Sequence, residues 1–444
     1  MYYFLMLYIV YFASGVLGMG IAMVSGLIMS MKIFDGIIDP VAGWFIDRTN
    51  GRFGKFRPYM IAGNAVMMFS LLLMYLCQYA GWAQIPLFIL ACVIHIIGYS
   101  AQFCVTRAAL GALTNDPKQR SVFAAFDMVI NVFLFVGVSL LVSNVLVVKH
   151  GDFNVAMFSE YFLLTVLFSA ACTALAVTGI WQKDRAKYFA LEEKATKIKF
   201  KDGWEALRNN RSVQLLMIAA GTDKLFSSVM SNAVIMVILF GIVCGDFALL
   251  GLLNLYVFMP VVIVSLLCAQ YARRFGQKAA FLFGTYGSMV STILIFALFM
   301  LGIPATLSFT NWGWFTVLFL IFISLRGGFM NANTSIIIPM ISDCADYEAT
   351  RSGKYLPGMI GAMFSFVDKV IASLTNVIVG ALVILAGYST FPTVNTPYSD
   401  ALFWVAMICY CGLPMLGWGI NIVCMKFYPL DRTTMAEVQK KTKK

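Results

Sequence analysis

Gly43-Trp44-Phe45-Ile46-Asp47-Arg48-Thr49-Asn50-Gly51-Arg52-Phe53-Gly54-Lys55-Phe56-Arg57-Pro58 is a charged turn set between two long apolar runs. Its glycines permit a tight reversal between two helices. A shorter echo, Tyr271-Ala272-Arg273-Arg274-Phe275-Gly276-Gln277-Lys278, follows another apolar run in the second half of the chain. Basic residues that only fix topology would account for the charges, but not for the ordered Gly, Asp and Arg spacing. Carboxylate and guanidinium groups at such helix ends can bridge in one conformational state and part in another.

The rest of the chain supplies the apolar context. Its 444 residues are 61% hydrophobic and 12% charged, with a mean hydropathy of +0.84. Soluble domains carry about 45–50% apolar and about 25% charged residues, so the excess apolar surface must face lipid. A membrane helix needs about 20 apolar residues. Twelve segments qualify: Tyr2–Leu17, Met19–Phe45, Tyr59–Tyr79, Ile85–Leu110, Val122–Val148, Tyr161–Trp181, Val213–Val243, Phe247–Ala272, Ala279–Gly302, Trp312–Ile341, Met359–Leu385 and Ala401–Met425. The start, Met1–Phe12, lacks the charged region and small-residue site of a cleavable signal and reads as the first, short span.

Basic residues alternate strictly between loops. Arg48, Arg52, Lys55 and Arg57; Lys118 and Arg120; Arg273, Arg274 and Lys278; and Arg351 and Lys354 fall on one side, while the opposite loops hold Lys149. Positive residues stay cytoplasmic, which predicts a multi-pass inner-membrane protein with both termini inside. The same pattern accounts for much of the net charge of +11 without nucleic acid as a partner. The charged stretch Lys183–Arg211 divides the chain. The expected organisation is an N-terminal six-helix half (1–182), a cytoplasmic linker (183–211), a C-terminal six-helix half (212–427) and a basic tail (428–444). Within the linker, Phe200–Leu207 reads either as a short amphipathic surface helix or as solvated chain. Six plus six with a central loop is a transporter plan, and it works as a monomer.

Enzyme chemistry finds no foothold. The ten cysteines are scattered without a C-x-x-C or a Cys/His cluster, and no nucleophile–base set or phosphate loop stands out. No cofactor is implied. Of the two histidines, His95 reads either as a proton relay or as a structural core residue.

Ionisable residues inside spans are costly and mark function. Lys32-Ile33-Phe34-Asp35-Gly36-Ile37-Ile38-Asp39-Pro40 lies in the second span. Asp35 and Asp39 are four apart, hence on one helical face, with Lys32 one turn before. Two such carboxylates repel in low dielectric, which favours a shared proton or a bound cation; the alternative is an ion pair with Lys32. Pro40 frees a backbone carbonyl as an oxygen ligand. Other intramembrane charges are Asp127 in the fifth span, Asp223-Lys224 in the seventh, Arg326 in the tenth and Asp368-Lys369 in the eleventh. Arg107, near the end of the fourth, either snorkels to the interface or faces the cavity.

The opening stretch resembles the G-x-x-x-D-R-x-x-G-R signature of major-facilitator transporters. Beyond it, three stretches resemble the glycoside–pentoside–hexuronide:cation symporters typified by the melibiose carrier. They are Asp35-Gly36-Ile37-Ile38-Asp39-Pro40-Val41-Ala42-Gly43-Trp44 with Gly54-Lys55-Phe56-Arg57-Pro58; Ala112-Leu113-Thr114-Asn115-Asp116 with Arg120; and Ser342-Asp343-Cys344-Ala345-Asp346-Tyr347-Glu348 followed by Arg351, Gly353 and Lys369. Their order suits nearly the whole chain. The resemblance implies an all-helical, twelve-span major-facilitator fold. Its function would be symport of a sugar, glycoside or uronide with H+ or Na+ by alternating access. It implies a cation site at Asp35 and Asp39, with Ser100 in the place of a threonine ligand. Lys369 would stand between cation and substrate, with Lys32, Arg107, Asp127 and Gln102 as further substrate or coupling positions. Asp47, Arg48, Arg52, Arg120, Asp343 and Asp346 would form cytoplasmic gates.

The departures concern cargo. The family's first helix carries a sugar-binding aspartate upstream of where this chain begins. Its span-four aspartate falls near Gln102 or Phe103, its stacking aromatic near Arg107, and its span-five arginine near Asp127 or Met128. Ile38 stands where sodium-binding members have asparagine. These departures point away from melibiose and toward protons. A carrier of lysolipid or another amphiphile with the same fold, and a non-transporting membrane sensor or degenerate carrier, are the alternatives.

Overall fold

The computed structural model describes residues 2–48, 53–54, 56–113, 130–131, 133–182, 184, 208, 210–352 and 357–442. Among them every regular element is a helix. Two compact units form, one of residues 1–195 with 387–395 and the other of 196–386 with 396–444.

The first unit contains α1 (Tyr2–Tyr11), α2 (Ile21–Arg48), α3 (Arg57–Leu76), α4 (Gln84–Leu113), α5 (Phe133–His150) and α6 (Val155–Ile180). The second contains α7 (Arg211–Met230), α8 (Ala233–Val243), α9 (Ala248–Phe275), α10 (Gln277–Leu301), α11 (Trp314–Ser352), α12 (Pro357–Ser373), α13 (Thr375–Leu385), α14 (Asp400–Phe427) and α15 (Arg432–Thr442). By length and composition, ten described helices can cross a membrane, and eleven if the bent α7–α8 pair is one span. A shorter apolar helix covers Leu7–Val16. Large apolar side chains such as Leu72, Ile263 and Leu266 remain more than half exposed, as lipid-facing positions should.

The segmentation departs from the sequence expectation at three places. The seventh span breaks after Met230, and Asn232 restarts the chain as a helix cap by accepting from the Val234 N–H, which leaves a bend of 44°. The eleventh breaks at Leu374, between α12 and α13. The tenth runs on past Ile341 to Ser352, so Asp343, Asp346 and Arg351 ride on a helix rather than in a loop.

The units share a backbone device. Phe12–Val16 and Val237–Val243 both widen into π-helical turns. The Leu17 N–H reaches Phe12 O at 3.2 Å and Met19 N–H reaches Ala13 O at 3.0 Å. In the second unit Cys244 N–H reaches Leu239 O and Asp246 N–H reaches Phe240 O, each at 2.9 Å. Each turn ends on a left-handed glycine, Gly18 or Gly245. This is a repeat at the level of hydrogen bonds, where the side chains no longer show it.

Packing inside the units follows membrane rules, with small residues at close crossings and polar pairs between helices. A Cβ on Gly63 of α3 would meet the Gly98 carbonyl oxygen of α4 at 2.8 Å, and the reverse holds at the same distance. Asn64 of α3 accepts from Ser169 of α6 at 2.6 Å. His95 is fully buried, with Nδ1 2.8 Å from Ser70 Oγ. Ser70 also lies 2.7 Å from Met67 O, so if its one hydroxyl proton goes to that carbonyl, the ring donates to Ser70. This is the structural reading of His95.

Candidate cation and substrate site

The second span carries its two aspartates on the face that α4 covers. Asp35 is 5% exposed, and Ser100 Oγ of α4 donates to its Oδ1 at 3.0 Å. One turn further along both helices, Cys104 Sγ donates to the Asp39 backbone oxygen at 3.5 Å. Residues 35 and 39 thus advance in step with 100 and 104, the register of two parallel helices. Below them Ile46, Phe56, Met60, Val105, Val177 and Ile180 close an apolar cluster. Pro40 has no N–H, so the Gly36 carbonyl lacks its usual partner in the helix. The result is a set of oxygens inside a hydrophobic span: two carboxylates, a hydroxyl and a freed carbonyl. That donor set suits a proton or a hard monovalent cation.

Lys32 lies one turn before Asp35 on the same helix and is partly buried. Gln102 Nε2 of α4 donates to Thr173 Oγ1 of α6 at 3.3 Å. Arg107 lies on α4, and Asp47 and Arg48 on α2, but their side chains fall outside the description, as do Arg52, Arg120 and Asp127 entirely.

In the second unit Lys369 is partly buried on α12. Its neighbour Asp368 faces Lys224 of α7 at 3.9 Å, with both side chains nearly half exposed. Asp223 turns inward instead, 6% exposed, and accepts from Trp418 Nε1 at 3.3 Å. Arg326 is buried with its guanidinium 4.1 Å above the Tyr410 ring. Asp343 lines a cavity of about 320 Å³ together with Arg273, Lys278, Asp431 and Arg432. The carboxylate of the third motif and the basic residues of the second glycine loop therefore share one pocket.

The charged helix ends hold two further buried carboxylates, Asp184 and Glu348. Asp184 is fully buried. It accepts from the Phe56 and Arg57 N–H groups at 3.1 and 2.9 Å and pairs with Arg57 Nε at 3.3 Å. Arg57 also stacks over Trp181 at 4.4 Å. Gly54 has φ +93°, and a Cβ there would overlap the Asp184 carboxylate. Glu348 is likewise buried and takes Asn210 Nδ2 at 2.7 Å and two Arg351 nitrogens at 3.0 and 3.1 Å. Asn210 in turn caps α7 through the Ser212 and Val213 N–H groups. The one sequence signal for Asp184 is the Asp-Arg step that recurs after the last span of each half, Asp184-Arg185 and Asp431-Arg432.

Comparison with known proteins agrees with this architecture. An isoprimeverose transporter of Lactiplantibacillus pentosus is 22% identical over 441 residues, covering 96% of this chain and 84% of its own. A glucuronide carrier protein homolog of Escherichia coli is 21% identical over 438 residues, covering 97% and 90%. An uncharacterized symporter of Bacillus subtilis is 24% identical over 449 residues, covering 96% and 87%. Among solved structures, a nucleoside transporter superposes with a TM-score of 0.65 at 12% identity, covering 95% of each chain. A bacterial homologue of the iron transporter ferroportin in an inward-facing state gives 0.63 at 13% identity, covering 95% of this chain and 94% of its own. At such identities the structures speak for the fold alone. The family model described as MFS/sugar transport protein matches residues 1–432, and the chain belongs to that family of membrane transporters.

Proposed function

We propose that this transporter is a secondary active symporter that couples H+ or Na+ entry to a sugar, glycoside or uronide by alternating access. The observation that carries the reading is the α2–α4 contact, where buried Asp35 takes a hydroxyl from Ser100 and Asp39 follows one turn on, beside Cys104. Such carboxylates are too costly in a span to be decoration. With the cation bound, their mutual repulsion is relieved and the substrate-competent state is favoured; the coupling is reciprocal in free energy. Ile38, in place of the asparagine of sodium-binding symporters, favours the proton. The cargo class follows the relatives, whose names include an isoprimeverose transporter and a glucuronide carrier homolog. Lys369 and Gln102 are the substrate-side positions, and Asp343 with the loop of Arg273 and Lys278 is a cytoplasmic gate. Both termini lie in the cytoplasm.

The test is uptake of labelled glycosides, pentosides and uronides into right-side-out and inverted vesicles under imposed proton or sodium gradients. Accumulation of one sugar class under one gradient is the expected result and names both cargo and ion. No sugar uptake under either gradient by folded protein overturns the reading in favour of a lysolipid carrier or a sensor.

A further inference from the structure

The geometry points to a second proton-binding site, at Asp223, in the unit that lacks the Asp35/Asp39 pair. Asp223 sits on α7 against Trp418 and Asn421 of α14, which are 2% and 0% exposed. Trp418 Nε1 donates to Asp223 Oδ1, and the Asn421 amide lies 3.5 Å from the same oxygen.

That amide has two orientations with opposite consequences. In the first, its nitrogen faces Asp223 and its oxygen takes the Thr222 hydroxyl at 2.7 Å. The amide oxygen then also lies against the Ala219 and Gly417 carbonyl oxygens, acceptor against acceptor. With the amide turned over, its nitrogen reaches Ala219 O at 2.9 Å, Gly417 O at 3.2 Å and Thr222 Oγ1 at 2.7 Å. The Thr222 hydroxyl keeps Ile218 O, 2.9 Å away, as its own acceptor. The turned orientation is the better satisfied one. It sets the Asn421 oxygen 3.5 Å from Asp223 Oδ1, and a proton on the carboxyl turns that approach of two acceptors into a hydrogen bond. Protonated Asp223 donates to Asn421, and the slack at 3.5 Å closes. Ionised Asp223 favours the amide turned back, with its nitrogen toward the carboxylate. Amide orientation and proton occupancy are therefore one switch between α7 and α14.

Among the described residues no ion pair holds Asp223. Lys224 is next in sequence but faces Asp368 of α12. The other charged groups on these helices are Arg211 on α7; Lys369 on α12; Arg326, Asp343, Asp346, Glu348 and Arg351 on α11; and Asp400 and Lys426 on α14. Arg326 stacks on Tyr410, Arg351 holds Glu348, and none of them forms an ion pair with Asp223. The ligand is the proton itself, and the inference does not rest on the Asp35/Asp39 reading.

Infrared difference spectroscopy of the full chain in vesicles tests it without substrate or gradient. The natural protein at neutral pH is expected to show a protonated carboxylic-acid C=O band that Asp223→Asn lacks. As pH rises the band bleaches, and tryptophan emission changes with it, an emission change absent in Trp418→Phe. If Asp223→Asn fails to fold, Asn421→Ala replaces it: removing the acceptor shifts the band of the acid. Absence of an acid band assignable to Asp223 at neutral pH overturns the proposal, and so does a band that Asn421→Ala leaves unshifted.

Discussion

Asp184 and Asp431 occupy the same place in the two units, each opening an Asp-Arg step after the last span, yet they hold the chain by different means. Asp184 is buried and braces the glycine loop of the first unit: it takes two N–H groups at the start of α3 and the Arg57 guanidinium. Asp431 is exposed and caps α15, accepting from the Thr434 N–H at 2.8 Å. The matching loop of the second unit is instead held through main-chain oxygens. Arg432 donates to Arg274 O at 2.8 Å and Lys278 to Tyr428 O at 2.6 Å. Gly276 keeps φ +93°, as Gly54 does. One backbone turn can thus be pinned by a buried ion pair or by cations on carbonyls.

Substitutions can break or sharpen this contrast. The largest loss should follow Asp184→Ala, which leaves the buried Arg57 guanidinium and two N–H groups without their acceptor. Removing one partner of a buried pair costs about 3–5 kcal/mol, read as a lowered thermal midpoint in detergent. A loss at Asp184→Ala no greater than at Asp431→Ala would erase the distinction. Gly54→Ala comes next, at about 2–3 kcal/mol, since a positive φ is strained for any side chain and the Asp184 carboxylate fills the space. Gly276→Ala should cost less, about 1–2 kcal/mol, because its Cβ would meet Arg432 no nearer than 3.2 Å. The smallest effect is Asp431→Ala, about 1 kcal/mol or less for a lost helix cap.

Asp431 also sets a pH sign. The Thr434 N–H and the Thr433 and Thr434 hydroxyls hold its carboxyl down at about 2. Its contribution is present above the ordinary carboxylate value of about 3.9 and fades as pH falls from there toward about 2. The protection factor of the first turn of α15, its exchange taken against the intrinsic rate at each pH, should fall over that acid window and stay flat above it; loss of protection at neutral pH would contradict the cap.

The all-helical fold was legible because lipid leaves a crude and reliable signal: long apolar runs with basic loops on one side. What escaped were features that composition does not encode. The break at Asn232 is a capping event inside an apolar run, and hydropathy reads straight through it. The extension of α11 to Ser352 carries charged residues on a helix that leaves the bilayer, where hydropathy stops before the helix does. At the site, the four-residue spacing put Asp35 and Asp39 on one face, and the resemblance supplied Ser100; their meeting needs the parallel α2–α4 register. Asp223 was visible as a charge in a span, but its partners Trp418 and Asn421 lie far along the chain. Asp184 escaped because it sits in a charged stretch where one more carboxylate stands out only through its Asp-Arg step.

The central claim is that the carboxylates of α2 couple the cation to the cargo. The most direct measurement compares gradient-driven accumulation with equilibrium exchange of the same labelled sugar in vesicles bearing the natural protein or Asp39→Asn. Exchange needs the fold and the substrate site, whereas accumulation also needs the coupling. A coupling energy of about 1–3 kcal/mol corresponds to roughly 5–150-fold. The predicted result is that Asp39→Asn retains exchange and loses accumulation by a factor in that range. Accumulation undiminished in Asp39→Asn would contradict the account.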